Sequence, residues 1–184
     1  MSELDELREV QTASREIFDG KIMHVFEDTV RLPDGNAATR EYMRHIGAVC
    51  VIPVLENGDV LVERQYRYPV GQVLTEIPAG KLDRRDEDRL LAAQRELREE
   101  TGAEAGEWTS LGLFYPACAY SDEAIEMFLA RGIRFGERHL DKDEFLNVTR
   151  MPLAALLEAV MAAEVPDTKT QIAVLKAARL LGLR

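Results

Sequence analysis

The side chains best placed to do chemistry lie in one run, Arg95-Glu96-Leu97-Arg98-Glu99-Glu100-Thr101-Gly102-Ala103, preceded by Glu87 and, further upstream, by Gly80. On a helix turning about 100° per residue, Glu96, Glu99 and Glu100 fall within an arc of roughly 100°. Leu90, Ala93 and Leu97 form a neighbouring apolar face that can anchor them. Carboxylates three and four apart repel by a few tenths of a kcal/mol per pair, so a cation is the natural complement. Hard oxygen donors suit magnesium or manganese, ions that keep several waters, bind phosphate oxygens and can acidify a nucleophilic water. The competing reading of a bare glutamate triple is a solvated acidic face neutralised by Arg95 and Arg98.

The elements around this run can be traced from turn signals and periodicity. The helix is expected from about Asp86 to Thr101, with Gly102 as its stop. Before it, Gly47 to Leu55 reads as a buried strand turned by Asn57-Gly58 into a second, Val60 to Arg64. An arm from Gln65 to Gln72 then leads to Val73 to Ile77 and a glycine-bearing loop. Later strands are expected at Leu111 to Tyr115, Ala124 to Ala130 and Phe145 to Arg150. Pro152 opens a helix running to about Ala163, and Asp167 caps another from Thr168 to Leu181, with Ile172, Leu175 and Leu180 suggesting its core face. Between Ser14 and Arg44, extended pieces separated by Asp19-Gly20 and Pro33-Asp34-Gly35-Asn36 read as hairpins too poor in apolar surface to stand alone.

The full pattern is glycine, glutamate, Arg-Glu-aliphatic-x-Glu-Glu and closing glycine, and it closely resembles the Nudix box. The resemblance overturns the solvated-face reading. That family usually has five residues between the glycine and the first glutamate, whereas six separate Gly80 from Glu87; the extra one falls in the polar stretch Asp83 to Asp86, where an insertion is cheap. Residue by residue, the resemblance implies Glu96 and Glu100 as principal metal ligands, Glu99 as an assisting one, the Ala79 carbonyl as a further ligand, and structural roles for Glu87 and Arg95. It also implies an α/β/α sandwich around a mixed sheet, with the N-terminal hairpins as a small added antiparallel element. The expected division is a dimerisation and substrate element over 1–44 and a hydrolase domain over 45–184.

The flanks resemble the ADP-ribose pyrophosphatase branch of that family from roughly Ile17 to the final helix. Glu63-Arg64-Gln65-Tyr66-Arg67 followed by Glu76-Ile77-Pro78-Ala79-Gly80 is similar to its arginine-bearing arm, and Tyr115-Pro116 with Ser121-Asp122-Glu123 to its downstream loop. The resemblance implies phosphate contact by Arg67, where a guanidinium pairs bidentately with phosphate oxygens; the alternative for Arg67 is an exposed salt bridge. Arg44 and Glu123 are further substrate candidates. Tyr66 and Tyr68 read as packing residues. The branch carries its catalytic base on an acidic loop before a late strand, which selects Glu144, with Asp143 and Asp141 as competitors. The implied reaction is magnesium-dependent cleavage of ADP-ribose to AMP and ribose 5-phosphate by a homodimer that exchanges N-terminal strands. Other nucleoside diphosphate derivatives, such as a nucleotide sugar or a dinucleotide, and a catalytically silent nucleotide-binding sensor are the rival readings.

Composition bounds these expectations. A chain of 184 residues, 46% hydrophobic and 30% charged, can bury a core and is neither a disordered tail nor a membrane span. A net charge of -10 disfavours a nucleic-acid partner, which needs clustered Lys and Arg, and an acidic protein acting on a phosphate anion needs cations. Cys50 and Cys118 both read as reduced, buried thiols, and Met1 to Glu9 lacks the apolar core of a signal peptide, so a cytoplasmic location without membrane attachment is expected. His24, His45 and His139 show no ligand spacing.

Overall fold

The computed structural model describes residues 6–138 and 145–183, which form two compact units. The first contains the chain up to His45 together with Ala117–Glu123. Strands β1 (Val10–Asp19), β2 (His24–Arg31) and β3 (Ala37–Arg44) make an antiparallel sheet in that order, the hairpins read from the turn residues. The segment 117–123 is laced to the end of β3: Met43 N donates to the Tyr120 carbonyl at 2.8 Å, and His45 N to Asp122 Oδ1 at 2.6 Å. Every residue of β1 is exposed.

The second unit contains Ile46–Pro116 and the chain from Ala124 onward. Its strands are β4 (Ala48–Pro53), β5 (Asp59–Arg67), β6 (Gln72–Glu76), β7 (Ala79–Lys81), β8 (Ala103–Phe114), β9 (Ile125–Phe135) and β10 (Leu146–Pro152), and its helices α1 (Arg89–Thr101), α2 (Leu153–Met161) and α3 (Thr168–Leu180). They form a mixed sheet, β7-β4-β9-β8, in which β4 and β9 run parallel, and an antiparallel sheet, β10-β5-β6. All six residues of β4 are buried because both of its faces are covered. Ala48, Cys50 and Ile52 join a core with Leu153, Leu156 and Val174 of α2 and α3, while Val49 and Val51 join one with Ala93 and Leu97 of α1. The mixed α/β sandwich thus follows from one strand whose alternate side chains serve two layers of helix.

Two element starts and one buried face differ clearly from expectation. Helix α1 starts at Arg89 because Asp88, not Asp86, is the cap: its side chain accepts from Leu90 N and Leu91 N at 2.9 and 3.0 Å. Strand β8 begins at Ala103, well before Leu111; its polar residues hide an outer strand that pairs with β9 from Ala103↔Phe135 to Phe114↔Ile125. On α3 the buried residues are Thr170, Ala173, Val174, Ala177 and Ala178, while Leu175 and Leu180 are exposed, so small side chains make the contact with the core and the leucines face outward. Cys50 is buried as expected but Cys118 is exposed, because it belongs to the 117–123 segment rather than to a strand; both thiols are free.

Candidate active site

The site is organised around the turn from Glu76 to Lys81, which joins β6 to β7. Its backbone is fixed to β4 by the bond from Val51 N to the Pro78 carbonyl at 2.9 Å and by the pairing of Cys50 with Ala79. Helix α1 reaches this turn from one direction. Glu100, buried, accepts from Ala79 N through Oε2 at 3.0 Å. Glu96 presses its carboxyl against Gly80 so closely that a Cβ there would lie 2.0 to 2.2 Å from the carboxyl atoms; only glycine leaves that carboxyl its place. Two residues beyond Glu100, Gly102 adopts φ 69° and ends the helix, as the sequence requires.

Arg95 ties the acidic face together. It donates to Glu96 Oε1 at 2.6 Å and Glu99 Oε2 at 3.3 Å, and reaches Glu87 at 3.5 Å and Asp83 at 3.7 Å. Burial opposes its charge, but Glu96, Asp83 and Glu87 outweigh that and hold its pKa above the ordinary value. Glu87 in turn accepts from Asp83 N at 2.7 Å and closes the polar loop that carries the extra residue. Glu99 is the outermost of the three, its side chain 38% exposed against 12% for Glu96. The donor set of Glu96, Glu99, Glu100 and the backbone at Ala79 is anionic and made of hard oxygen. Two of its carboxylates are buried against the same turn, and this fits a small divalent cation rather than a soft metal.

A second set of charges reaches the turn from α3. Arg67, at the end of β5, forms a two-pronged pair with Glu76: Nε to Oε1 and Nη2 to Oε2, both 2.7 Å. Lys169 Nζ also donates to Glu76 Oε2, and to Asp167 Oδ1 at 3.0 Å. Glu76 is 2% exposed; burial alone would raise its pKa, yet the two cations keep it below the usual carboxylate value. The hydrogen bonds to Glu76 outweigh burial and hold the Arg67 guanidinium pKa above its ordinary value, with the charges of Glu76, Asp167 and Glu100 adding to the shift. The fully buried Thr170 accepts from Ile77 N at 3.0 Å and donates to Asp167 Oδ2 at 2.6 Å.

Arg44 and Glu123 belong to the first unit: the Arg44 guanidinium sits 3.9 Å over the Phe26 ring and donates to the Tyr42 hydroxyl at 3.0 Å, and Glu123 faces His45 at 3.8 Å. Tyr66 and Tyr68, read as packing residues, are instead 56% and 85% exposed. His24, without ligand spacing in sequence, meets Asp19 at 2.8 Å and Glu16 at 3.8 Å because the β1–β2 register puts Asp19 opposite it, an exposed surface pairing. Glu144, Asp143, Asp141 and His139 lie outside the described residues. Sequence reasoning missed Lys169, Thr170 and the role of Glu76. The only available hint was the cap at Asp167, since Glu76 and Lys169 are 93 residues apart.

Comparison with known proteins identifies the family. The NUDIX domain family matches residues 43–171, and a family described as the nucleoside diphosphate sugar hydrolase N-terminal domain matches residues 10–43. The chain is 39% identical to the ADP-ribose pyrophosphatase of Bacillus subtilis, over 91% of each chain. It is 36% identical to a methanol dehydrogenase activator of Bacillus methanolicus, over 95% of this chain and 94% of the other. A solved structure titled as an ADP compounds hydrolase superposes with a TM-score of 0.84 over 96% of both chains at 20% identity, a likeness of fold. The protein belongs to the Nudix hydrolase family.

Proposed function

We propose that the chain hydrolyses ADP-ribose to AMP and ribose 5-phosphate with the help of magnesium or manganese. The observation that carries this is the burial of Glu96 and Glu100 against the Ala79–Gly80 turn, on the helix that bears the family's motif in a chain 39% identical to an ADP-ribose pyrophosphatase. Glu96, Glu100 and the Ala79 carbonyl would hold the ion, with Glu99 nearest solvent. When bound, such an ion neutralises the diphosphate and lowers the pKa of a coordinated water. Arg67 binds phosphate oxygens with its planar fork, and Glu144 accepts the proton of the attacking water as one bridging P–O bond breaks. Arg44 and Glu123 are assigned to the rest of the substrate.

The test is to incubate the purified protein with ADP-ribose in heavy-oxygen water, with and without magnesium. Metal-dependent release of AMP and ribose 5-phosphate is expected, the labelled product identifying the phosphorus attacked. Absence of AMP would leave the silent sensor reading. A second substrate class, nucleoside diphosphate sugars, is favoured by the match over residues 10–43, and the ratio of kcat/KM values for the two classes separates them.

We further assign residues 1–44 to a dimerisation and substrate element and 45–184 to the hydrolase domain, with N-terminal strands exchanged between two copies. Support comes from Ile17, Phe18, Ile22 and Met23, each at least 45% exposed, an apolar strip a second copy would cover. Light scattering should give twice the monomer mass. A cytoplasmic location suits the two free thiols; among the described residues no helix is long and apolar enough to cross a membrane.

A further inference from the structure

Arg67 meets Glu76 side-on. Nε donates to Oε1 and Nη2 to Oε2, which uses one hydrogen on each nitrogen and leaves the rest of the guanidinium's five N–H donors unspent. The opposite edge, made of Nη1 and the second hydrogen of Nη2, has no acceptor among the described residues. That edge is itself a fork suited to two phosphate oxygens, and the side chain is 42% exposed, so it can be used with the Glu76 pair intact.

The strand ladder does not provide this meeting by itself. Arg67 stands opposite Gln72 and Glu76 opposite Glu63, four residues away along both strands, or about 13 Å at the rise of a strand. Both side chains therefore reach along β5 and β6 to meet, and the arginine is drawn from the strand end toward the turn. That turn carries Ala79, three residues after Glu76, where Glu100 of α1 is bonded. Glu76 is a firm anchor because it is 2% exposed and is held from α3 as well: its Oε2 also accepts from Lys169, which is 11% exposed and bonded to Asp167 at 3.0 Å. Thr170 locks the same helix to the turn, its hydroxyl bridging Ile77 N and Asp167.

We propose that Glu76, seated by Lys169, is a positioning residue: it holds Arg67 side-on so that the free edge of the guanidinium is presented to the substrate diphosphate. This rests on the reading of Arg67 as a phosphate contact. Glu76 touches no reacting atom; it orders the arginine before substrate arrives, and ordering a long side chain during binding costs up to about tenfold in affinity.

The test uses the full-length protein and the non-hydrolysable methylene analogue of ADP-ribose, with Glu76→Asp, the double variant Glu76→Gln/Lys169→Met, Arg67→Ala, and each Glu76 change combined with Arg67→Ala. Glu76→Asp keeps the carboxylate, and the double variant removes one charge of each sign. A change in affinity therefore reports on alignment rather than on net charge. Each is expected to weaken binding of the analogue and raise KM by about fivefold to tenfold, with a smaller change in kcat. In the Arg67→Ala background the same changes should cost less than about twofold, since no guanidinium is left to align. A merely structural Glu76 would instead lower affinity equally in both backgrounds, in step with a fall in Tm, and that result overturns the proposal. Wild-type affinity in the double variant, or in Glu76→Asp if the double variant fails to fold, overturns it too, while leaving Arg67 as a phosphate contact if Arg67→Ala binds weakly. A second measurement needs only the wild type with isotope-labelled arginine. The Nε–H signal of Arg67, assigned by its loss in Arg67→Ala, should stay protected from exchange with water when the analogue binds; loss of that protection means the arginine leaves Glu76 and overturns the proposal. Undiminished binding by Arg67→Ala overturns the phosphate reading of that arginine, and the positioning role goes with it.

Discussion

Two helices meet the same turn with opposite chemistry. From α1 the turn receives anions: Glu100 on Ala79 N and Glu96 against Gly80, with Arg95 paired to Glu96. From α3 it receives a cation and a hydroxyl, Lys169 on Glu76 and Thr170 on Ile77 N. The α1 side concentrates negative charge where an ion would be useful; the α3 side balances its charges among Arg67, Glu76, Lys169 and Asp167. The first side carries an excess of negative charge, and the second pairs its charges among its own residues. Removing a group from the first should therefore damage activity, and removing one from the second should damage stability or affinity.

The largest effect should come from Glu100→Gln, with turnover falling about a thousandfold or more while Tm stays near that of the wild type. Activity within a few-fold of normal would dissolve the distinction between the two sides. Glu76→Gln should act in the other sense, destabilising by about 3 kcal/mol at neutral pH because Arg67 and Lys169 lose their shared counter-charge. The sign with pH follows from the lowered carboxyl pKa: the folded state favours ionised Glu76. Its contribution is therefore present above the ordinary value of 4.5 and lost as pH falls below it. Urea midpoints of variant and wild type should converge between neutral and acid pH.

Gly80→Ala sharpens the comparison from the α1 side. The three atoms nearest the added methyl are the carboxyl group at the end of the flexible Glu96 side chain, so the fold should survive while the displaced carboxylate lowers kcat/KM by about tenfold or more. The smallest effect, about 1 kcal/mol, is expected for Thr170→Val, which leaves Ile77 N without its acceptor. Thiol labelling can follow it. Cys50, opposite Ala79 on β4, is buried with its thiol pKa pushed up to about 12, so in the wild type only the exposed Cys118 should react near neutral pH. Faster labelling of Cys50 in Thr170→Val would show that α3 keeps the turn seated.

The asymmetry between the helices is also one of legibility. On α1 the determinants are local: Glu96, Glu99 and Glu100 share a face because of helical geometry, and Gly102 can end the helix because of its own φ, so periodicity and motif found them without coordinates. The same holds for the hairpins at Gly35 and Gly58 and for the cap at Asp167. On α3 the local signal held only in part: Ile172 packs against the core as expected, but Leu175 and Leu180 are exposed while Ala173, Val174 and Ala177 are buried. Apolar periodicity alone could not say which side chains were small enough for the closest approach.

By itself, then, the sequence determined the acidic helix, its stop and the turn residues, because each depends on neighbours a few positions away, while the α/β sandwich was implied by the family resemblance of the motif. Tertiary structure alone decided that Arg67 pairs with Glu76, that Lys169 shares that carboxylate across 93 residues, and that Cys118 lies outside the core. Those outcomes depend on which buried charges the packed strands and helices bring within reach of one another. No pattern along the chain carries that information.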